Sequence, residues 1–239
     1  LAWSQMHGDE STHTAVLLDL LTFLQSQPDH PTATAILKHL RLAAIVMLNP
    51  DGAERQTRHN AQGIDINRDA RVLASPEARL LHHAVLDLQP EFAFNLHNHN
   101  PRRTVATTGQ AAAVALLAPP VDAAGSCPAN MLAAQQVASW VRQTVEMHAP
   151  GMVARYEADY MPRAFGEWVQ QQGTATLLIE AGGWSTLPAG RLRRLHFVAF
   201  ASALAGIASG DYRRVDASLY RSLPGTGDAD LFDLTIVGP

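Results

Sequence analysis

The sequence predicts an α/β domain, on three observations. Helical and extended patterns alternate along most of the chain. Short apolar runs stop at Gly, Pro or Asn, as buried strands do. With 239 residues, 47% apolar and 17% charged, the chain can bury one large core, which excludes a disordered protein.

In order, Leu1–Met6 reads as the end of a strand and His7-Gly8-Asp9-Glu10 as the turn after it. From Ser11 a helix follows, with Val16, Leu17, Leu20, Leu21 and Leu24 at helical spacing. Arg41–Leu48 is an apolar run that ends in a turn at Asn49-Pro50-Asp51-Gly52. Ser75-Pro76-Glu77 supplies an N-cap, a first-turn proline and a first-turn acid for a helix to about Leu88. Glu91–Leu96 is a strand that delivers His97, and Ala111–Ala118 is another, stopped by Pro119-Pro120. Pro128–His148 carries an apolar helical face, and Thr174–Ile179 is a buried strand ending at Glu180 and Gly182-Gly183. A last helix is expected over Ala189–Ala208. After Gly210 the composition becomes turn-rich. The predicted organisation is therefore a core domain over 1–210 and an extension over 211–239, with Leu231–Val237 as an added strand. The chain starts without Met and its first strand looks cut short, so N-terminal strands are expected to be missing from it.

A formal charge of −4 without a basic stripe argues against nucleic acid as a partner. The most apolar late stretch, Phe197–Ala208, is shorter than the roughly 20 residues a membrane span needs. Cys127 is the single cysteine, which rules out an internal disulfide and any cysteine-pair metal knuckle. Any metal must be held by His and carboxylate.

His7 and Glu10 lie on a strand-to-helix turn, where open α/β sheets place ligand sites. With the histidine-rich run Asn95–Asn100 and the isolated Glu180 they provide two imidazoles, a carboxylate ligand and a separate base. A hydrolytic zinc centre needs that set. His97 and His99 are two apart on a strand and share a face, so His99 competes for the ligand role. All these residues fall at or just beyond the carboxyl ends of predicted strands.

Five motifs now stand in order: His7-Gly8-Asp9-Glu10, Asn49-Pro50-Asp51-Gly52, Gly63-Ile64-Asp65-Ile66-Asn67-Arg68-Asp69, Leu96-His97-Asn98-His99-Asn100 and Leu178-Ile179-Glu180-Ala181-Gly182-Gly183. Together they resemble the zinc metallocarboxypeptidase family, over most of the chain from His7 to about Gly183. The tract Tyr156–Glu167, with Gly173–Gly183, resembles bacterial members in particular. The resemblance implies a three-layer α/β/α sandwich around a mixed central sheet, with residues 1–210 as the catalytic domain. It also implies hydrolysis of a peptide or isopeptide bond next to a free carboxylate, by a zinc-activated water and a Glu general base. One Zn2+ per chain would be held by His7, Glu10 and His97, with His97 preferred over His99 because it follows the apolar strand directly.

By the same resemblance Glu180 would be the general base. Asn67 and Arg68 would grip the substrate carboxylate, since guanidinium geometry matches it. Arg58 would polarise the scissile carbonyl, with Arg55 as its rival, and Asp65 would orient His7. A tyrosine closing over the substrate would be Tyr156 or Tyr160. Arg163 would either line a side-chain pocket that favours acidic residues or form a structural ion pair. Asp9 stands where the family commonly has Asn, and the residues after His97 also depart from the best-known members. The implied partner is a peptide or peptide-like substrate with a free carboxylate, and the implied location is extracytoplasmic, periplasmic or secreted. Two other readings fit the same motifs: a zinc deacylase of N-acyl amino acids, and a non-catalytic binding module on the same fold.

Overall fold

The computed structural model describes residues 1–184, 190–229 and 231–232. The chain opens with β1 (Ala2–Ser4), α1 (Thr12–Ser26), α2 (Pro31–His39), β2 (Ala44–Ile45) and α3 (Pro50–Arg55). Next come α4 (Pro76–Leu88), β3 (Phe92–Asn98), β4 (Val114–Leu117), α5 (Ala129–His148) and β5 (Val153–Arg155). The series ends with α6 (Phe165–Gln171), β6 (Ala175–Ala181), α7 (Arg191–Ser209) and α8 (Ser218–Arg221).

Local chemistry explains the best-defined boundaries. Ser75 Oγ accepts the backbone N–H of Ala78 at 3.2 Å, Pro76 sets the first turn, and Gln89 closes α4 in the left-handed region. α1 has no side-chain cap and no acid in its first turn, so burial of Val16, Leu17, Leu20 and Leu24 holds it. Leu21 is exposed and lies outside that stripe.

The six strands make one mixed sheet in the order β2-β1-β3-β6-β4-β5. The β2, β1, β3 and β6 neighbours pair in parallel, β4 runs antiparallel to β6, and β5 is parallel to β4. Alternation along the strands sorts the side chains between two faces. Phe94, Leu96, Leu177, Ile179 and Leu116 pack with α1, α2, α5 and α7. Trp3 and Ala93 meet Leu81 and Val85 of α4 and Phe165 and Trp168 of α6 on the other face. The result is the expected three-layer α/β/α sandwich.

Several expectations change. Asn49-Pro50-Asp51-Gly52 is the start of α3 and not a free turn: Asn49 Oδ1 accepts the Gly52 N–H at 2.9 Å and Pro50 occupies the first turn. Arg41–Leu48 yields only a two-residue strand, and among the described residues β2 has β1 as its single neighbour at the sheet edge. The elements α2, β5 and α6 are short and were not expected. Packing does not stop at residue 210. Tyr212, Tyr220 and Leu223 are buried in the same core as α5 and α7, and Tyr220 Oη accepts the Ala118 N–H at 3.0 Å. Residues 211–227 are thus part of the body, while residues 233–237 of the expected last strand, like Ala189 at the expected start of α7, lie outside the described residues.

Candidate metal centre

The turn that carries His7 and Glu10 is built by close backbone packing. Gln5 takes a left-handed φ of 51° and swings the chain out of β1, and its Nε2 donates to Gly8 O at 2.8 Å. Gly8 packs directly on Gly52. A Cβ on Gly8 would stand 1.9 Å from Gly52 C, a distance no side chain tolerates. Asn49 Nδ2 donates to Met6 O at 3.2 Å, so the first two motifs form one unit. β3 lies between β1 and β6, and its register opposes His97 to Glu180.

These constraints bring His7, Glu10 and His97 together, with candidate ligand atoms all within 4.8 Å of one another and all three residues buried. Nδ1 of His7 lies 2.7 Å from Glu10 Oε1, and Nδ1 of His97 lies 2.7 Å from Glu10 Oε2. Contacts that close need positive charge between ring and carboxylate, supplied by ring protons or by a divalent cation in their place. Two imidazoles and a carboxylate match the donor set of a catalytic zinc site. His7 Nε2 faces Asp65 Oδ1 at 3.3 Å, which leaves Nδ1 as the metal-facing nitrogen. On these grounds the residues fit zinc.

The charges respond to one another. Burial works to raise the Glu10 carboxyl, but His97 and His7 outweigh it and hold Glu10 far below the usual carboxylate range. Burial also opposes His7, yet its hydrogen bonds to Asp65 and Glu10 raise its pKa. Asp65 is held low against burial by His7 and Arg58. Glu180 behaves oppositely: burial pushes its carboxyl up to about 7, only partly offset by His97. Glu180 is 5% exposed and its Oε2 has no partner among the described residues.

A cleft of about 310 Å³ opens over this cluster and is lined by His7, Glu10, His97, Glu180, Asn67 and Arg68 among others. Arg58 also lines it, with Nε 3.0 Å and Nη2 2.9 Å from Asp65 Oδ2. Asn67 Oδ1 accepts the Phe165 N–H at 3.0 Å, which ties the Asn67-Arg68 turn to the start of α6. His7, Glu10, His97, Glu180, Arg58, Asn67 and Arg68 therefore face one space, while Asp65 contacts His7 and Arg58 without lining the cleft. Of the rivals, Arg55 is exposed at the end of α3 and does not line the cleft. His99 lies outside the ligand cluster, with Nδ1 3.0 Å from Asn100 O. Tyr156 lines the cleft, whereas Tyr160 Oη accepts from Gln171 Nε2 at 2.7 Å. Arg163 is exposed and does not line the cleft. Several lining residues had been given no role, among them the polar Asn95, Asn98, Asp159 and Glu167. Asn95 carried a signal, since it is two residues from His97 on a strand and shares its face; Glu167 stood only as the last residue of the tract Tyr156–Glu167, with no role attached.

This fold is of the zinc carboxypeptidase type, and its His-Glu-His cluster could hold a metal ion. The family model described as zinc carboxypeptidase matches residues 2–103. Carboxypeptidase SOL1 of Arabidopsis thaliana is 35% identical over 65 residues, which is 27% of this chain and 13% of that protein. A metallo-carboxypeptidase from Burkholderia cenocepacia superposes with a TM-score of 0.64 at 17% identity, over 89% of this chain and 56% of that one. A succinylglutamate desuccinylase/aspartoacylase from Rhodobacter sphaeroides gives 0.53 at 16%, over 85% and 53%. The chain thus spans about half the length of the solved structures and a smaller part of the curated relative. It is zinc carboxypeptidase-like in its fold and in the segment that carries His7 and Glu10.

Proposed function

We propose that the protein is a zinc-dependent carboxypeptidase that hydrolyses a peptide or isopeptide bond next to a free carboxylate. The observation that carries this reading is the convergence of His7, Glu10 and His97 with Glu180 and Arg68 on one cleft, with Glu180 opposite His97 in the sheet. His7, Glu10 and His97 would hold the zinc, which supplies Lewis acidity toward a carbonyl and lowers the pKa of water.

The remaining steps belong to side chains. Arg68 and Asn67 bind the substrate's terminal carboxylate and set the register of the scissile bond. Glu180, raised by burial toward neutrality, accepts a proton from the attacking water and returns it to the leaving amine. Arg58 stands 3.9 Å from Glu10 Oε1, and its partly exposed guanidinium stabilises the developing oxyanion. Asp65 keeps both His7 and Arg58 in place.

Glu180→Gln tests the assignment. Hydrolysis of a carboxyl-terminal peptide is expected to fall by about 10²–10⁴-fold, the usual weight of a general base, while zinc content stays unchanged. Normal turnover by this variant would sink the mechanism. The deacylase reading shares the fold, as the desuccinylase/aspartoacylase superposition makes plain. N-acyl amino acids in the same assay separate the two, and the faster substrate class decides.

A further inference from the structure

We propose that residues 224–228 form a strap that sets the position of Tyr156 at the cleft, with the Thr226 N–H as its tie. The effect on substrate rests on the carboxypeptidase reading; the hold on Tyr156 does not.

Pro224-Gly225-Thr226-Gly227-Asp228 contains no buried residue, and the last one before it is Leu223. Hydrophobic packing therefore does not place this stretch, and its order comes from backbone pairing on two sides. On one side the Arg155 N–H donates to Pro224 O at 2.7 Å and the Thr226 N–H to Arg155 O at 3.1 Å. On the other the Ala106 N–H donates to Gly225 O at 3.1 Å, the Gly227 N–H to Thr104 O at 2.7 Å and the Thr104 N–H to Asp228 O at 3.1 Å. The strap thus lies as a short strand between the end of β5 and the loop that follows β3.

Both of those segments run to the cleft. β3 ends with His97 and Asn98, which line it, and Tyr156, the residue after β5, lines it too. The Tyr156 ring stands 6.4 Å from that of His99, at the start of the loop. β5 has three residues, and β4 is its single neighbour among the described strands. So short a strand frays when its outer edge is open, and the strap covers that edge at Arg155. Gly225 also packs so closely on Glu157 that a Cβ would stand 2.6 Å from Glu157 Oε1. The strap therefore touches both chain neighbours of Tyr156.

Thr226→Pro tests this, because it removes the N–H given to Arg155 and keeps every donor and acceptor on the loop side. Hydrogen exchange is expected to quicken about fivefold at the Tyr156 amide, the weight of one hydrogen bond, and to stay unchanged along β6. With a carboxyl-terminal peptide, KM is expected to rise by a similar factor while kcat and zinc content hold. In Tyr156→Ala the same substitution is expected to add nothing to KM, because the strap acts through that ring. Thr226→Ala loses the Oγ1 that accepts from Arg103 Nη1 at 3.2 Å but keeps the N–H, and native values are expected of it. In the native chain the Arg155, Tyr156 and Thr226 amides are expected to open together, and sooner than those of β6.

An unchanged Tyr156 amide in Thr226→Pro overturns the proposal. So does a KM that holds, or that rises as far in Tyr156→Ala, and so does a Thr226→Ala chain that matches Thr226→Pro. If Thr226→Pro does not fold, the native chain decides, and separate opening of its three amides overturns the proposal. Quickened exchange at Tyr156 in a protein that hydrolyses no peptide leaves the strap standing and removes the carboxypeptidase reading; hydrolysis with an unmoved Tyr156 amide does the reverse.

Discussion

Asp65 uses its two oxygens on different partners, His7 Nε2 at 3.3 Å and the Arg58 guanidinium at 2.9 Å. It therefore fixes the orientation of the His7 ring and the position of the Arg58 guanidinium at once. Asp65→Ala is expected to weaken zinc affinity by about 10–100-fold, the usual effect of removing a partner that orients a metal-bound imidazole. Competition with a chelator of known affinity checks this, and unchanged affinity would show that His7 needs no such support. At this scale the sequence was readable where residue type and spacing carry chemistry. His7, Glu10, His97, Arg58, Asn67, Arg68 and Glu180 all line the cleft, and Asp65 contacts two of them, His7 and Arg58. Glu167 was not readable, because a carboxylate in a short helix looks like any solvated surface acid until its burial is known.

Among the elements, α1 and α7 meet through a buried histidine pair under the sheet. His13 Nε2 lies 3.0 Å from His196 Nδ1, and His196 Nε2 donates to Ala113 O at 3.0 Å. Both rings are 1% exposed, and burial lowers the His196 pKa from 6.5 to about 4. Between those values the unfolded chain binds a proton that the folded one refuses, so stability falls as pH drops through that window. The contribution is present above pH 6.5 and has been lost by about pH 4. Its size is about 3 kcal/mol, from the width of the shift. Urea unfolding at several pH values is expected to show this loss in the native protein and a shallower one in His196→Gln. Equal slopes would place the proton elsewhere. Element grammar was readable for α4, whose Ser-Pro-Glu start is unambiguous. The same grammar at Asn49-Pro50-Asp51 was masked by Gly52, whose presence reflects close packing against the Asn49 side chain and His59 O and not a turn. The pieces α2, β5 and α6 escaped because three to nine residues offer too little periodicity to separate from loop.

For the molecule as a whole, the sheet does what scattered motifs cannot. Parallel pairing of β1, β3 and β6 gathers the turn after β1, the end of β3 and the end of β6 at one edge, which is why motifs far apart in sequence share a cleft. The alternation of patterns sufficed for the α/β class, and the ordered motifs for the three-layer sandwich. The place of residues 211–227 was hidden, since turn-rich composition does not reveal that Tyr212, Tyr220 and Leu223 complete the core. The account depends most on His7, Glu10 and His97 acting as one metal site. Elemental analysis of the purified, zinc-loaded protein beside His97→Ala and His99→Ala tests it most directly. About one zinc per chain, lost with His97→Ala and kept with His99→Ala, is the predicted result for a three-ligand catalytic site. No zinc in the native protein, or zinc retained by His97→Ala, would contradict it.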